Sequence, residues 1–272
     1  MRNPVQIRPW TVEEKNALRA LVDQYYAYQD ERLALDGRLG ITKSGNEKKG
    51  ASVVSPEWAA LMFQRHDELA GSDGRSGLEA QYEKQIAERV KHTALWEKWL
   101  KDVKGCGPVM AAVILVSFDI NIATTVSKLW QFSGNNPGMV RGKKRKGDEI
   151  IVSDELVRGD RKTPGFVAPF NGWLRTKLNG VLAGSFIKAQ APYALDYYYP
   201  YKHRLESMDW GNASKNPTDK KRPKAGHQDK AAKRYMIKMF LRDLYVQWRT
   251  IEGLPVRAPY QEEYLGHKHG VA

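Results

Sequence analysis

Three stretches of helical period leave little of this chain for anything but helices. In residues 11–40, Leu18, Leu21, Val22, Tyr25, Gln29 and Leu33 follow at helical spacing. In 78–104, Leu78, Tyr82, Ile86 and Val90 recur every four residues, and Trp96, Trp99, Leu100 and Val103 continue the face. In 227–251, Ile237, Phe240, Leu241, Leu244, Tyr245 and Trp248 make a third face. Too few alternating segments remain for a sheet-based fold, and there is no internal repeat. The expected class is mainly α.

Local signals set the boundaries. Residues 1–10 read as a tail. Thr11 with Glu14 three positions on is a capping box, and the first helix should fade near Gly37–Gly40. Residues 41–54 read as a polar loop, Ser55–Pro56 as a helix start running to about Ala70, and 71–77 as a turn. A long helix over 78–104 then pairs with the first as an antiparallel hairpin, making 11–104 a coiled-coil arm. Such an arm either dimerises or packs on the rest of the chain, and the two readings stand equally. A second domain spans 105–251. It has basic insertions at 138–165 and 209–226, helices at about 170–191, 193–207 and 227–251, and a tail at 252–272. The 138–165 insertion reads as a basic loop, with room for a small hairpin at Glu149–Val152.

Charge narrows the function. Lys and Arg number 44 against 31 Asp and Glu, a net charge of +13. A clustered surplus of this size argues for a polyanionic partner. No apolar run approaches a membrane span and no basic amphipathic anchor is present, so a membrane is not the expected partner. With the single cysteine, Cys106, neither an internal disulfide nor a cysteine-based zinc site can form. The first residues lack a signal peptide's apolar stretch, and a cytosolic protein is expected.

Four segments carry candidate chemistry. Lys104, Gly105, Cys106, Gly107 and Pro108 form a turn that opens a helix, the pattern of the second half of a helix-hairpin-helix. There a phosphate can sit on free N–H groups; the plain alternative is a helix corner using glycines for packing. Arg141, Lys143, Lys144, Arg145 and Lys146 place five cations in six residues, read as a disordered loop that orders on phosphates. Lys230, Arg234, Lys238 and Arg242 recur at four-residue spacing with few carboxylates beside them, a stripe that an external polyanion would neutralise. Lys215, Lys220, Lys221, Arg222 and Lys224 add to it. Tyr193, Tyr197, Tyr198, Tyr199 and Tyr201 either stack on unpaired bases or, more simply, fill a core. Asp119, Asp148, Asp154 and Asp160 match no metal-dependent nuclease pattern, no phosphate-binding loop is present, and His267 and His269 alone are weak metal ligands. No cofactor and no metal are expected.

In order, these segments resemble a known family. VKGCGPVMAAVILVSFDI resembles a stretch of the insertion-sequence transposases that carry a RuvC-like DEDD domain and are guided by bridge RNA. LWQFSGNNPG resembles that family's aromatic-glycine segment. FNGWLRTKL resembles its next helix, with Asn171, Leu174, Arg175 and Leu178 matching, and the 227–251 helix resembles its closing helix. The likeness covers most of residues 11–251. The same domain type resembles the Nop domain of guide-RNA ribonucleoproteins and the Tas proteins of tandem interspaced guide RNA systems, some of which lack a nuclease.

The resemblance implies a helical Nop-like domain after a coiled-coil arm, with a guide RNA as ligand and target DNA reached by base pairing. It also implies a homodimer through the arm and a possible separate nuclease. Two departures point away from cutting. The chain begins at the arm, with no counterpart of the acidic nuclease domain. Arg141 stands where the family has its nucleophilic serine, and Ser133 is a poor substitute. The expectation is a non-catalytic binding protein. The alternatives are a transposase or its remnant binding DNA directly, a phage-type accessory protein binding DNA generically, and a helix-hairpin-helix glycosylase. The last lacks its aspartate in ATTVSKLW.

Overall fold

The computed structural model describes residues 10–41, 55–208 and 225–258. The fold is mainly α, with one two-stranded sheet. The chain divides into two compact units, 1–97 with 111–116, and 98–110 with 117–272. The division falls before the expected boundary at residue 104, and part of the helix after the glycine turn belongs to the first unit.

In the first unit, α1 (Val12–Leu39) begins on the expected capping box. Thr11 Oγ1 accepts from Glu14 N at 3.2 Å, and Glu14 Oε2 accepts from Thr11 N at 2.9 Å. It stops at Gly40, whose φ of 71° suits a residue without Cβ. Next come α2 (Pro56–Ala70) and α3 (Leu78–Val90). Arg32 meets Glu79 and Tyr28 meets Tyr82, so α3 runs antiparallel to α1, as the hairpin reading expects. Leu35, Leu39 and Leu69 form a small core with Met62 and Leu78 against it. Buried Ala111–Val116 also belong to this unit, and Arg19 donates to the Val116 carbonyl.

The long helix expected over 78–104 does not exist as one element. It ends at Val90, and a short α4 (Ala94–Lys98) follows, then a 3-10 turn at Leu100–Asp102. The cause is Thr93. Its hydroxyl donates to the Val90 carbonyl at 2.7 Å and accepts from Trp96 N at 3.3 Å, closing one helix and capping the next.

In the second unit, the glycine turn leads into α5 (Pro108–Ser117), and α6 (Val126–Phe132) follows. The basic insertion corrects a second expectation. Residues 138–165 are no disordered loop. They build an antiparallel ribbon of β1 (Met139–Lys146) and β2 (Glu149–Arg158), joined by Gly147–Asp148 with Gly147 at φ 61°. The helical stretch expected at 170–191 comprises α7 (Gly172–Thr176), a wide turn at Lys177–Leu182 and α8 (Ala183–Lys188). A second wide turn, Ala194–Tyr198, precedes α9 (Tyr199–Ser207), and α10 (Ala225–Ile251) closes the unit. All six apolar residues singled out on α10 are buried. Among the described residues, no helix is long and apolar enough to cross a membrane.

Candidate nucleic-acid interface

The ribbon has two unlike faces, set by the two-residue period of a strand. Val140, Gly142, Lys144 and Val157 lie on the inner face. Val157 is buried, and a Cβ at Gly142 would come within 2.4 Å of the Phe166 ring. Val167 N donates to the Lys143 carbonyl at 2.7 Å, and Gly159 N to the Gly138 carbonyl at 2.8 Å. Lys144 is used at home: it pairs with Glu155 and lies 4.7 Å over Phe166.

The outer face holds Arg141, Lys143 and Arg145 on β1. Across from them on β2 stand Leu156, Val152 and Ile150, which are 60%, 61% and 52% exposed. Among the described residues, Arg141, Lys143, Arg145 and Lys146 have no acidic partner. A bulge sets Ser153, Asp154 and Glu155 against Gly142 alone and increases the local twist.

On α10 the four-residue stripe meets its own acids. Arg242 Nε donates to Asp243 at 2.8 Å, and its Nη2 to the Tyr197 hydroxyl at 3.3 Å. Burial pulls the Arg242 guanidinium down, but Asp243 outweighs it and the net shift is upward. Lys238 lies 4.3 Å over the Trp130 ring, and burial holds its ammonium below the usual lysine range. Arg234 stands 3.7 Å from Asp160. Only Lys230 is exposed. The expectation of a stripe with few nearby carboxylates therefore fails. The acids come from Asp243 on the same helix and from Asp160, 74 residues earlier in the chain.

Asp160, matched to no pattern in the sequence, lines a pocket of about 210 Å³ together with Asn135, Arg158, Tyr201, Arg234, Tyr235 and Lys238, among others. Its carboxylate is 5% exposed and accepts from Arg158 Nε at 2.9 Å and Nη2 at 3.1 Å. Burial pushes its carboxyl up, but the Arg158 hydrogen bond and the charges of Arg158, Arg234 and Arg161 outweigh that and hold it below its ordinary value. Arg175 donates to the Asp160 carbonyl and stacks 4.8 Å over Phe170. Burial, and next the charge of Arg234, lower its pKa. Asn135 is 3% exposed. Its Nδ2 donates to the Ser133 hydroxyl at 3.0 Å, and its Oδ1 is buried with no partner among the described residues.

Asn171 and Gly105, among the other expected site residues, serve the fold. Asn171 caps α7, accepting from Leu174 N at 3.0 Å. Gly105 has φ 92°, and a Cβ there would meet Phe186 at 2.9 Å; its carbonyl accepts from Ser185 Oγ at 2.8 Å. Gly107 has open space around it. Lys104 lies at the rim of a pocket shared with Asp102, Asp196 and Asp243, acids that repel phosphate. Gly105 is thus packed as a helix corner requires. Cys106 is buried, which pushes its thiol up to about 12.

The tyrosine run packs on itself. Tyr201 stacks on Tyr235 at 4.5 Å with Arg204 over its ring, Tyr193 stacks on Phe186, and Tyr197 meets Tyr235 edge-on. Ser133 is wholly buried and donates to the Trp130 carbonyl at 3.2 Å. Lys215, Lys220, Lys221, Arg222, Lys224, His267 and His269 lie outside the described residues. No protein-family model, curated protein or solved structure matches this chain.

Proposed function

We propose that the protein binds nucleic acid along its phosphate backbone, and that the outer face of the β1–β2 ribbon is the primary contact. The observation that carries this is a row of cations, Arg141, Lys143 and Arg145, held in register on an ordered strand with no acid in ion-pair contact among the described residues. Alternate residues on a strand are about 6.7 Å apart. A two-stranded ribbon also fits a groove, with aliphatic side chains such as Ile150 and Val152 against sugars and base edges. Cations paired to phosphates position a ligand without reading its sequence.

The order of motifs makes a structured guide RNA the proposed principal ligand, with target DNA recognised through base pairing and a pair of protein copies joined through the helical arm. The reading is of a binding protein. The one serine near the family's nucleophile position, Ser133, has its hydroxyl engaged within the core. Two experiments test the proposal. Sequencing of nucleic acid that co-purifies with the protein should return a discrete small RNA. Titration against RNA, DNA and anionic vesicles should give the tightest binding to RNA. Binding to vesicles alone would overturn the reading, and binding to DNA with no discrete RNA would leave only the generic backbone contact.

A further inference from the structure

We infer that the pocket around Asp160 holds the terminal phosphate of a nucleic-acid strand. The inference rests on the nucleic-acid reading above and deepens it, since it gives the strand a fixed end. Three charges line the pocket as cations, Arg158, Arg234 and Lys238, and one as a carboxylate, Asp160. Asp160 accepts two hydrogen bonds from Arg158, one on each carboxylate oxygen. Arg234, at 3.7 Å, is too far from it for a hydrogen bond. The donors of Arg234 and Lys238 therefore have no hydrogen-bond acceptor among the described residues. The lowered pKa of Arg175, due to burial and then to Arg234, reports the same crowding of positive charge.

A surplus of two positive charges matches a phosphate monoester, which carries about −1.5 to −2 near neutral pH, better than a bridging diester with a single charge. Size agrees. At about 210 Å³ the pocket is smaller than a site for a drug-sized molecule, which takes roughly 300–1,000 Å³. A phosphate with part of its sugar fits within that volume. Asn135 lines the same pocket and is held in place by the hydrogen bond from its Nδ2 to the Ser133 hydroxyl.

The test uses the full chain and short RNA strands of one sequence carrying a 5′-phosphate, a 3′-phosphate or hydroxyls at both ends. Fluorescence anisotropy should show one phosphorylated end binding at least about tenfold more tightly than the hydroxyl-ended strand. Arg234→Gln and, separately, Lys238→Met should each bring that ratio towards one. Inorganic phosphate at millimolar concentration should erase the preference. Should Arg234→Gln fail to fold, Lys238→Met carries the comparison. Equal affinity for all three strands would overturn the inference and leave the backbone reading intact. Competition by inorganic phosphate that ignores the strand's end would show that the pocket takes any phosphate, and would overturn it too. If no strand binds, both readings fall together.

Discussion

The ribbon and α10 both read as runs of positive charge in the sequence, yet they have opposite fates in the fold. On β1, every second residue projects from the outer face with Leu156, Val152 and Ile150 directly across, and Arg141, Lys143 and Arg145 have no acidic ion-pair partner among the described residues. On α10, Arg242 and Arg234 each face a carboxylate, and Lys238 lies against Trp130. A cluster of like charge is therefore not yet a surface. Which of its members stay available depends on the acids and rings that the neighbouring elements bring: Asp243 engages Arg242, whereas Arg234 and Lys238 make no hydrogen bond to an acid among the described residues.

The comparison breaks most readily by reversing the ribbon's charge. Arg141→Glu with Lys143→Glu and Arg145→Glu should lower affinity for RNA or DNA by about a hundredfold or more at low salt, with helicity unchanged by circular dichroism. The neutral Gln triple should reduce the salt slope on duplex DNA by about 2.7, three phosphate contacts at ~0.9 each. Retained affinity in the reversed variant would move the primary contact elsewhere.

Gly142→Val keeps every charge and attacks the ribbon's seat. Its Cβ meets the Phe166 ring, so a stability loss of about 1–3 kcal/mol is expected by denaturant titration. Asp160→Asn tests the neutralising side of the comparison, with an expected loss of about 1–2 kcal/mol near neutral pH. The sign with pH follows from its lowered pKa. Its contribution is complete above the unfolded value of about 3.9 and is lost as pH falls through the lower folded value. The substitution should thus flatten the acid limb of the stability curve. Smallest of all, Arg242→Gln should change affinity less than about twofold, because Asp243 already engages that guanidinium. A larger effect would return the α10 stripe to the interface.

What the sequence disclosed was local. The Thr11 capping box, the Gly40 stop, the Ser55–Pro56 start and the buried face of α10 each depend on residues within a turn or two of one another, and each was visible. The Thr93 cap is equally local, but the apolar spacing running on through Trp96 and Trp99 hid it. The ribbon is legible only in part, as room for a small hairpin at Glu149–Val152, because a strand is recognised by apolar alternation, and β1 alternates cations with cations. The signal lay in its partner, where Ile150, Val152 and Leu156 take every second or fourth place. The pocket was missed because no spacing links Asp160 to Arg234. The two meet only when the ribbon's last residues come to lie along α10.

Gly142 also has a mechanical meaning. With Phe166 under it, the Val167 bond to Lys143 beside it and the bulge opposite it, the ribbon is clamped near its base. The rungs from Lys144 to Lys146 extend beyond the clamp to the Gly147–Asp148 tip. Such a strip is a cantilever: force applied at the tip is felt as torque at the clamp. A load on Arg145 or Lys146 would be carried back along the strip to Gly142 and its seat on Phe166.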